Sequence, residues 1–183
     1  MDIAGILKSL ESTSIATRIR ESLLLFPMLE SFHVIGLTMV FGTIAIIDLR
    51  LLGIASTHRP FTRIANDVLK WTWAAFVLTV ITGALMFTTN AGVYFHNSYF
   101  RAKMLLLLLA GINMLVFELT AGRTVERWDK DPSAPLSGKA VAAISILLWI
   151  GVIFLGRWIG FTTTRAQFKE EPTDINIEDI LPK

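Results

Sequence analysis

The fold follows first from one apolar stretch, Leu23 to Ala55, which carries no formal charge between Val34 and Ile47. At about 1.5 Å per residue, a helix over this stretch is long enough to cross the ~30 Å hydrocarbon core of a bilayer. His33 lies inside it, within one helical turn of Glu30. Because an ionisable side chain is costly at membrane depth, His33 is a functional candidate from the outset.

The composition indicates a membrane protein. Only 17% of the 183 residues are charged, against about 25% in a typical soluble domain, and the apolar residues fall in four blocks. The net charge is +2 and the basic residues are scattered, so nothing suggests a nucleic-acid partner. The chain has no cysteine, which excludes disulfides, cysteine-bound iron–sulfur clusters and c-type haem attachment. We therefore predict one all-α, integral membrane four-helix bundle with the lipid bilayer as its surroundings.

The chain divides into three predicted segments. Residues 1–22 carry apolar side chains at helical spacing and predict one amphipathic helix in the membrane interface. Residues 23–161 form the four-transmembrane-helix domain, and residues 162–183 form an acidic tail that we expect to be mostly disordered. The apolar positions of the first segment are Ile3, Ile6, Leu7 and Leu10.

Each membrane helix has an approximate predicted range. The four ranges are Phe26–Gly53, Trp71–Thr89, Phe100–Gly122 and Ala140–Phe161. Loop one then spans residues 56–70, in which Pro60 breaks or starts a helix. Loop two spans residues 90–98 with Asn97 or Ser98 as a cap for the third helix, and loop three spans residues 123–139. Lys and Arg are more frequent in loops one and three, which predicts that these loops lie inside and both termini outside. The expected location is the bacterial cytoplasmic membrane, with multiple passes.

Polar side chains converge at both ends of such a bundle. In an antiparallel arrangement the start of helices one and three and the end of helices two and four share one leaflet. That leaflet collects Glu30, His33, Asn90, His96, Lys103, Arg157 and Trp158. The opposite leaflet collects a second set, which we interpret as helix-end ion pairs and snorkelling cations. Its members are Asp48, Arg50, Glu118 and Arg123.

The first set fits a b-type haem, which needs a nitrogen ligand in a bundle, an apolar slot and cations for its propionates. His33 is the predicted axial ligand to the iron, and Lys103 or His96 is the candidate opposite ligand. Arg157 is a candidate propionate partner, as is whichever of Lys103 and Arg101 is free. The more ordinary interpretation has His33 hydrogen-bonded to Glu30 or to a facing carbonyl, and Lys103 snorkelling to the interface.

Two small residues share the helical stripe of His33. Gly36 and Thr43 follow it at helical spacing, so a flat cofactor or another helix can approach the backbone there. Plain helix packing is the more common reason for such a stripe.

Other functions remain open. Met28, Met86 and Met104 fall near the same leaflet as His33, and thioethers with imidazole suit Cu(I), so copper handling is one alternative. Methionine is more often a gap filler. Another alternative is a cofactor-free transport, quinone-binding or scaffold subunit, held together by its polar cluster. A redox partner or a homo-oligomer is possible in either case, and no motif identifies a catalytic site.

Four sequence features resemble those of an uncharacterised family of bacterial four-helix membrane proteins. They are His33 at the head of helix one, DLRLLG at Asp48–Gly53, WTW at Trp71–Trp73 and NSYFRAKM at Asn97–Met104. The resemblance covers roughly residues 27–117 and implies the fold. In layout the chain is also similar to HemJ-type protoporphyrinogen oxidases and CopD-like membrane proteins. These small helical bundles have a histidine on the first helix, and the HemJ type has a lysine on a later one. That likeness implies haem, with His33 and Lys103 at the corresponding places.

Overall fold

A computed structural model describes the backbone of residues 2–170 and the side chains of residues 2–162. Over this range the chain is helical and without strands, as predicted. Four of the described helices are long and apolar enough to cross a membrane. The helices are α1 (Ile3–Glu11), α2 (Ser14–Glu21), α3 (Leu25–Leu52), α4 (Phe61–Thr89), α5 (Ala91–His96), α6 (Ser98–Leu119), α7 (Val125–Trp128) and α8 (Leu136–Glu170).

The spanning helices form a bundle in which α3 packs against both α4 and α8, and α6 packs against α8. Apolar side chains of α3, α4 and α8 meet in the middle of the bundle at Val40, Ala75, Trp149 and Val152. Helices α4 and α6 meet through aromatic rings near their ends. Phe87 stacks on Phe100 at a centroid distance of 5.4 Å, and Phe61 lies 5.8 Å from Phe117.

Helix α3 ends close to its predicted boundary, and the reason lies in Gly53. This residue has φ +76°, the left-handed conformation that favours glycine after a helix. A Cβ at this position would also lie 2.7 Å from Cβ of Ser133, so loop three packs directly against the turn.

Helix α4 begins at Phe61, ten residues before the predicted Trp71, so that boundary was wrong. Of the two roles expected for Pro60, the structure has it directly before the start of a helix. A contact with loop three also holds this start, because the carboxylate of Asp129 accepts hydrogen bonds from the backbone N–H and the hydroxyl of Thr62. An acidic cap of this kind stabilises a helix N-terminus, and here it comes from a residue distant in sequence. Two residues that we had placed in loop one, Arg63 and Lys70, therefore lie on the helix.

Loop two is mostly helical in the structure, because α5 occupies residues 91–96. The predicted cap on the third helix is confirmed. The side-chain oxygen of Asn97 accepts hydrogen bonds from the backbone N–H groups of Tyr99 and Phe100. The amide nitrogen of Asn97 donates to the hydroxyl of Thr162, which ties the start of α6 to α8.

The N-terminal segment consists of two short helices where we had predicted one. The chain turns at Ser12 and Thr13, and the Thr13 hydroxyl accepts a hydrogen bond from the N–H of Ala16 at the start of α2. Two long-range hydrogen bonds attach this pair of helices to the bundle. The carboxylate of Glu11 accepts from the N–H of Gly92, and the guanidinium of Arg20 donates to the carbonyl of Thr89.

At the other terminus, α8 continues to Glu170, beyond its predicted end at Phe161. The remainder of the predicted acidic tail, residues 171–183, lies outside the described residues.

Candidate functional site

His33 lies half-buried on α3 and faces α4. Its Nδ1 atom is 3.0 Å from the carbonyl oxygen of Thr79 and 3.1 Å from the hydroxyl of Thr82. A carbonyl can only accept, and the Thr82 hydroxyl already donates to the carbonyl of Leu78. Both neighbours of Nδ1 therefore act as acceptors, so the neutral ring carries its hydrogen on Nδ1. The lone pair of Nε2 is then free, and no hydrogen-bond partner reaches Nε2 among the described residues.

A glycine on α4 makes room for this ring. A Cβ at Gly83 would lie 2.9 Å from Cε1 of His33, closer than side chains tolerate. The imidazole is thus held between the Gly83 backbone on one side and hydrogen-bond acceptors at Nδ1. Such a fixed orientation is typical of histidines that bind metals and of histidines that join two helices.

Lys103 lies half-buried on α6 and is near enough to His33 to interact with it electrostatically. Its Nζ atom rests against α8, where a Cβ at Gly156 would lie 3.5 Å from it. No carboxylate of the described residues forms an ion pair with Lys103. His33 and Lys103 therefore share one end of the bundle, where α4 contacts His33 and α8 contacts Lys103.

The small residues on the His33 stripe contact protein. A Cβ at Gly36 would lie 2.5 Å from the Thr79 hydroxyl oxygen, so α4 covers this position. The hydroxyl of Thr43 donates to the carbonyl of Met39 within its own helix. Gly36 thus serves the helix packing that the sequence left as one of two interpretations, whereas the hydrogen bond of Thr43 stays within α3.

Two other predicted site residues point elsewhere. His96 is exposed, and its Nδ1 atom is 2.8 Å from the carbonyl of Gly92. Arg157 is exposed on α8, with its guanidinium carbon 5.3 Å from the ring centroid of Phe161. Neither residue makes a hydrogen bond or ring contact with His33 in the described part of the chain.

Glu30, which we had considered as a partner of His33, is exposed and faces α5. Burial raises the pKa of the Tyr94 phenol on that helix, and the negative charge of Glu30 contributes to the same shift. The carbonyl of Thr79 provides the partner of His33 instead, which was the other expected arrangement.

At the opposite end of α3, Arg50 has no exposed surface. Its guanidinium donates to four backbone carbonyls, those of Arg59 in loop one and of Asp129, Asp131 and Pro132 in loop three. The interpretation of Arg50 as a snorkelling or ion-paired cation was therefore wrong. Its five N–H donors in a rigid plane suit a cluster of carbonyls, and they join both loops to the end of the helix.

Asp48 is also buried, and it forms no ion pair with any cation of the described residues. Its neighbour is the Ser145 hydroxyl on α8. The ion pair that we had expected at this helix end is absent from this part of the structure.

Our sequence reasoning missed the polar surface of α4 that receives His33. Thr82 and Gly83 lie three and four residues after Thr79, which places them on the same helical face as Thr79. That spacing was a visible signal, although it does not indicate which side chain the face contacts. Gly156 gave no signal beyond being a glycine in an apolar helix.

Comparison with known proteins identifies a family. A family model described as a family of unknown function, DUF6644, matches residues 24–162. The matched region contains the four spanning helices, His33 and Lys103. No curated protein and no solved structure matches the chain. Among the described residues, no group of three or more histidine, aspartate or glutamate side chains is arranged to hold a metal ion. Because the family model covers well over half of the sequence, the chain belongs to this family of unknown function, DUF6644.

Proposed function

We propose that this multi-pass membrane protein is a small b-type haem protein of the bacterial cytoplasmic membrane, which passes electrons alone or as the anchor of a redox partner. His33 is the axial ligand in this proposal. The observation that carries it is the position of Nδ1 between two acceptors, which leaves the lone pair of Nε2 available. Histidines that bind metals usually donate the other ring N–H to a carbonyl or carboxylate in this way.

Lys103 is the candidate for the opposite ligand. Its amine is near enough to His33 to interact with it electrostatically, and it forms no ion pair with a carboxylate of the described residues. An amine that is neutral can bind iron through its lone pair, and a protonated one can pair with a propionate. A bound haem would supply one-electron chemistry, while the protein sets the ligands and the surroundings.

The contact of α4 with the helical stripe of His33 on α3 limits where the haem macrocycle fits. Because α4 packs on Gly36, a flat group does not fit along the stripe that the sequence suggested. Helices α4 and α6 make close ring contacts at Phe87–Phe100 and Phe61–Phe117, near their ends.

The test is an absorption spectrum of the detergent-purified protein before and after reduction with dithionite, with haem and iron measured on the same sample. Cells must be grown with haem available. We expect a Soret band that sharpens and shifts on reduction, with iron near one per chain. The His33→Ala variant should lose most of the haem, and Lys103→Met should change the spectrum. His58→Ala is the matched control, because His58 is an exposed loop residue.

Two outcomes would overturn this proposal in different ways. A full haem complement in a folded His33→Ala variant would remove the ligand assignment and leave the haem. A featureless spectrum from folded wild-type protein would remove the haem itself.

A second candidate is a cofactor-free transport, quinone-binding or scaffold subunit. The observation that favours it is the close packing of α3 on α4, in which Gly36, Gly83 and the Nδ1 atom of His33 all contact the partner helix. In that case the protein is colourless, and the His33→Ala variant loses thermal stability without any spectral change.

A further inference from the structure

Asp48 is a buried acid at the end of the bundle opposite His33. Its side chain is 5% exposed, and the Oδ2 atom has no hydrogen-bond partner among the described residues. The one polar group beside the carboxyl is the hydroxyl of Ser145 on α8, which is itself buried. One buried carboxyl oxygen thus has no donor in the described structure.

None of the charged side chains of the described residues forms an ion pair with Asp48. On α3 itself, the guanidinium of Arg50 is occupied by backbone carbonyls of loops one and three. The α3–α4 contacts at His33 and Gly36 place Asp48 at the level of Asp67, which is exposed on α4, as is Arg63 one turn earlier. On α8 the nearest cation in sequence to Ser145 is Lys139, and it forms no ion pair with Asp48 in the described part of the chain.

The protonation state of the Asp48 carboxyl follows from this environment. An ionised carboxylate in an apolar interior requires a cation or several donors, and a single hydroxyl does not meet that need. A protonated carboxyl is neutral and needs far less compensation. Ionisable groups with this placement in membrane proteins commonly take part in proton transfer.

We propose that Asp48 is a proton-binding site inside the membrane domain, with the carboxylate taking up one proton to become a carboxylic acid beside Ser145. The site lies about 22 Å along α3 from His33, at roughly 1.5 Å per residue. It is therefore separate from the haem site and does not depend on the proposed function.

The first test is labelling of the full-length protein in membranes with dicyclohexylcarbodiimide, an apolar reagent that adds to protonated carboxylic acids. We expect mass spectrometry to find the adduct on the peptide that contains Asp48, with labelling that decreases as the pH is raised. The Asp48→Asn variant should lose it. Glu30→Gln is the matched control, since Glu30 is an exposed carboxylate on the same helix, and it should leave the labelling unchanged.

The second measurement covers the case in which Asp48→Asn folds poorly. Infrared difference spectra of the wild-type protein and of Ser145→Ala should both contain the carbonyl stretch of a protonated carboxylic acid at neutral pH. Absence of this band, with only carboxylate bands present, would overturn the proposal. Protection from labelling by sodium ions at constant pH and ionic strength would also overturn it, because the carboxylate would then bind a metal cation.

Discussion

At the scale of single residues, the polar side chains at the two ends of α3 are accommodated in the apolar bundle in different ways. His33 uses acceptors on one neighbouring helix and keeps one nitrogen free. Arg50 uses four backbone carbonyls from two loops and leaves no surface exposed. The second arrangement also satisfies carbonyls that would otherwise be buried without donors, so it stabilises the loops as well as the arginine.

Replacement of Arg50 tests this assignment. Arg50→Lys keeps the charge and replaces the planar donor set by three N–H donors, so at least one of the four loop carbonyls loses its donor. We expect a loss of about 1–3 kcal/mol in the free energy of unfolding, the cost of one buried group left unpaired. Thermal unfolding in detergent measures the loss. Arg59→Lys is the control, because the Arg59 side chain is exposed; equal stability of the two variants would contradict the role of Arg50.

At the scale of elements, helix boundaries depend on partners outside the helix. The start of α4 at Phe61 is held by Asp129 of loop three, which caps it. In loop three, the N–H of Ala134, two residues before α8, donates to the carbonyl of Leu51 in the last turn of α3. The pair α1–α2 is attached to the bundle by few side-chain hydrogen bonds. Two side-chain hydrogen bonds, from Arg20 and to Glu11, join it to the corner of α4 and α5.

Removal of the hydrogen bonds made by Glu11 and Arg20 should release helices α1 and α2 from the bundle. In the double variant Glu11→Ala, Arg20→Gln we expect amide hydrogen exchange in residues 3–21 to become at least about 100-fold faster, since two hydrogen bonds to charged groups, at roughly 1.5–3 kcal/mol each, together contribute roughly 3–6 kcal/mol. Exchange in the spanning helices should stay the same. Glu21→Gln is the control, because Glu21 is an exposed carboxylate of α2. Unchanged exchange in the double variant would show that apolar contacts such as that of Leu7 hold the pair.

At the scale of the whole molecule, four spans separate two chemically different ends. One end carries His33 and Lys103, and the other carries Asp48 and the loop cluster around Arg50. The excess of Lys and Arg near loops one and three predicts that the second end faces the cytoplasm. This orientation would place the proposed proton site near the inner leaflet and the proposed haem site near the outer leaflet.

Cysteine labelling in intact cells tests the orientation. The native chain has no cysteine, so each engineered thiol reports one position alone. His96→Cys on α5 should react with a membrane-impermeant maleimide in intact cells, and His58→Cys in loop one should react only after permeabilisation. The reverse pattern would invert the orientation, and labelling of both from one side would contradict the number of spans.

The sequence by itself determined the helical class and the four helices that are long and apolar enough to span a membrane. These properties follow from local hydrophobicity and chain length, because a bilayer demands a long apolar helix wherever the chain crosses it. It also singled out His33 and Lys103 as residues of one end of the bundle, and the electrostatic interaction between them agrees with that placement. The tertiary structure alone decided the partners of Arg50, the cap that Asp129 provides to α4, and the burial of Gly36 by α4. Each of these depends on which groups from distant parts of the chain meet, and unsatisfied donors and acceptors at helix ends accept any suitable partner that packing supplies.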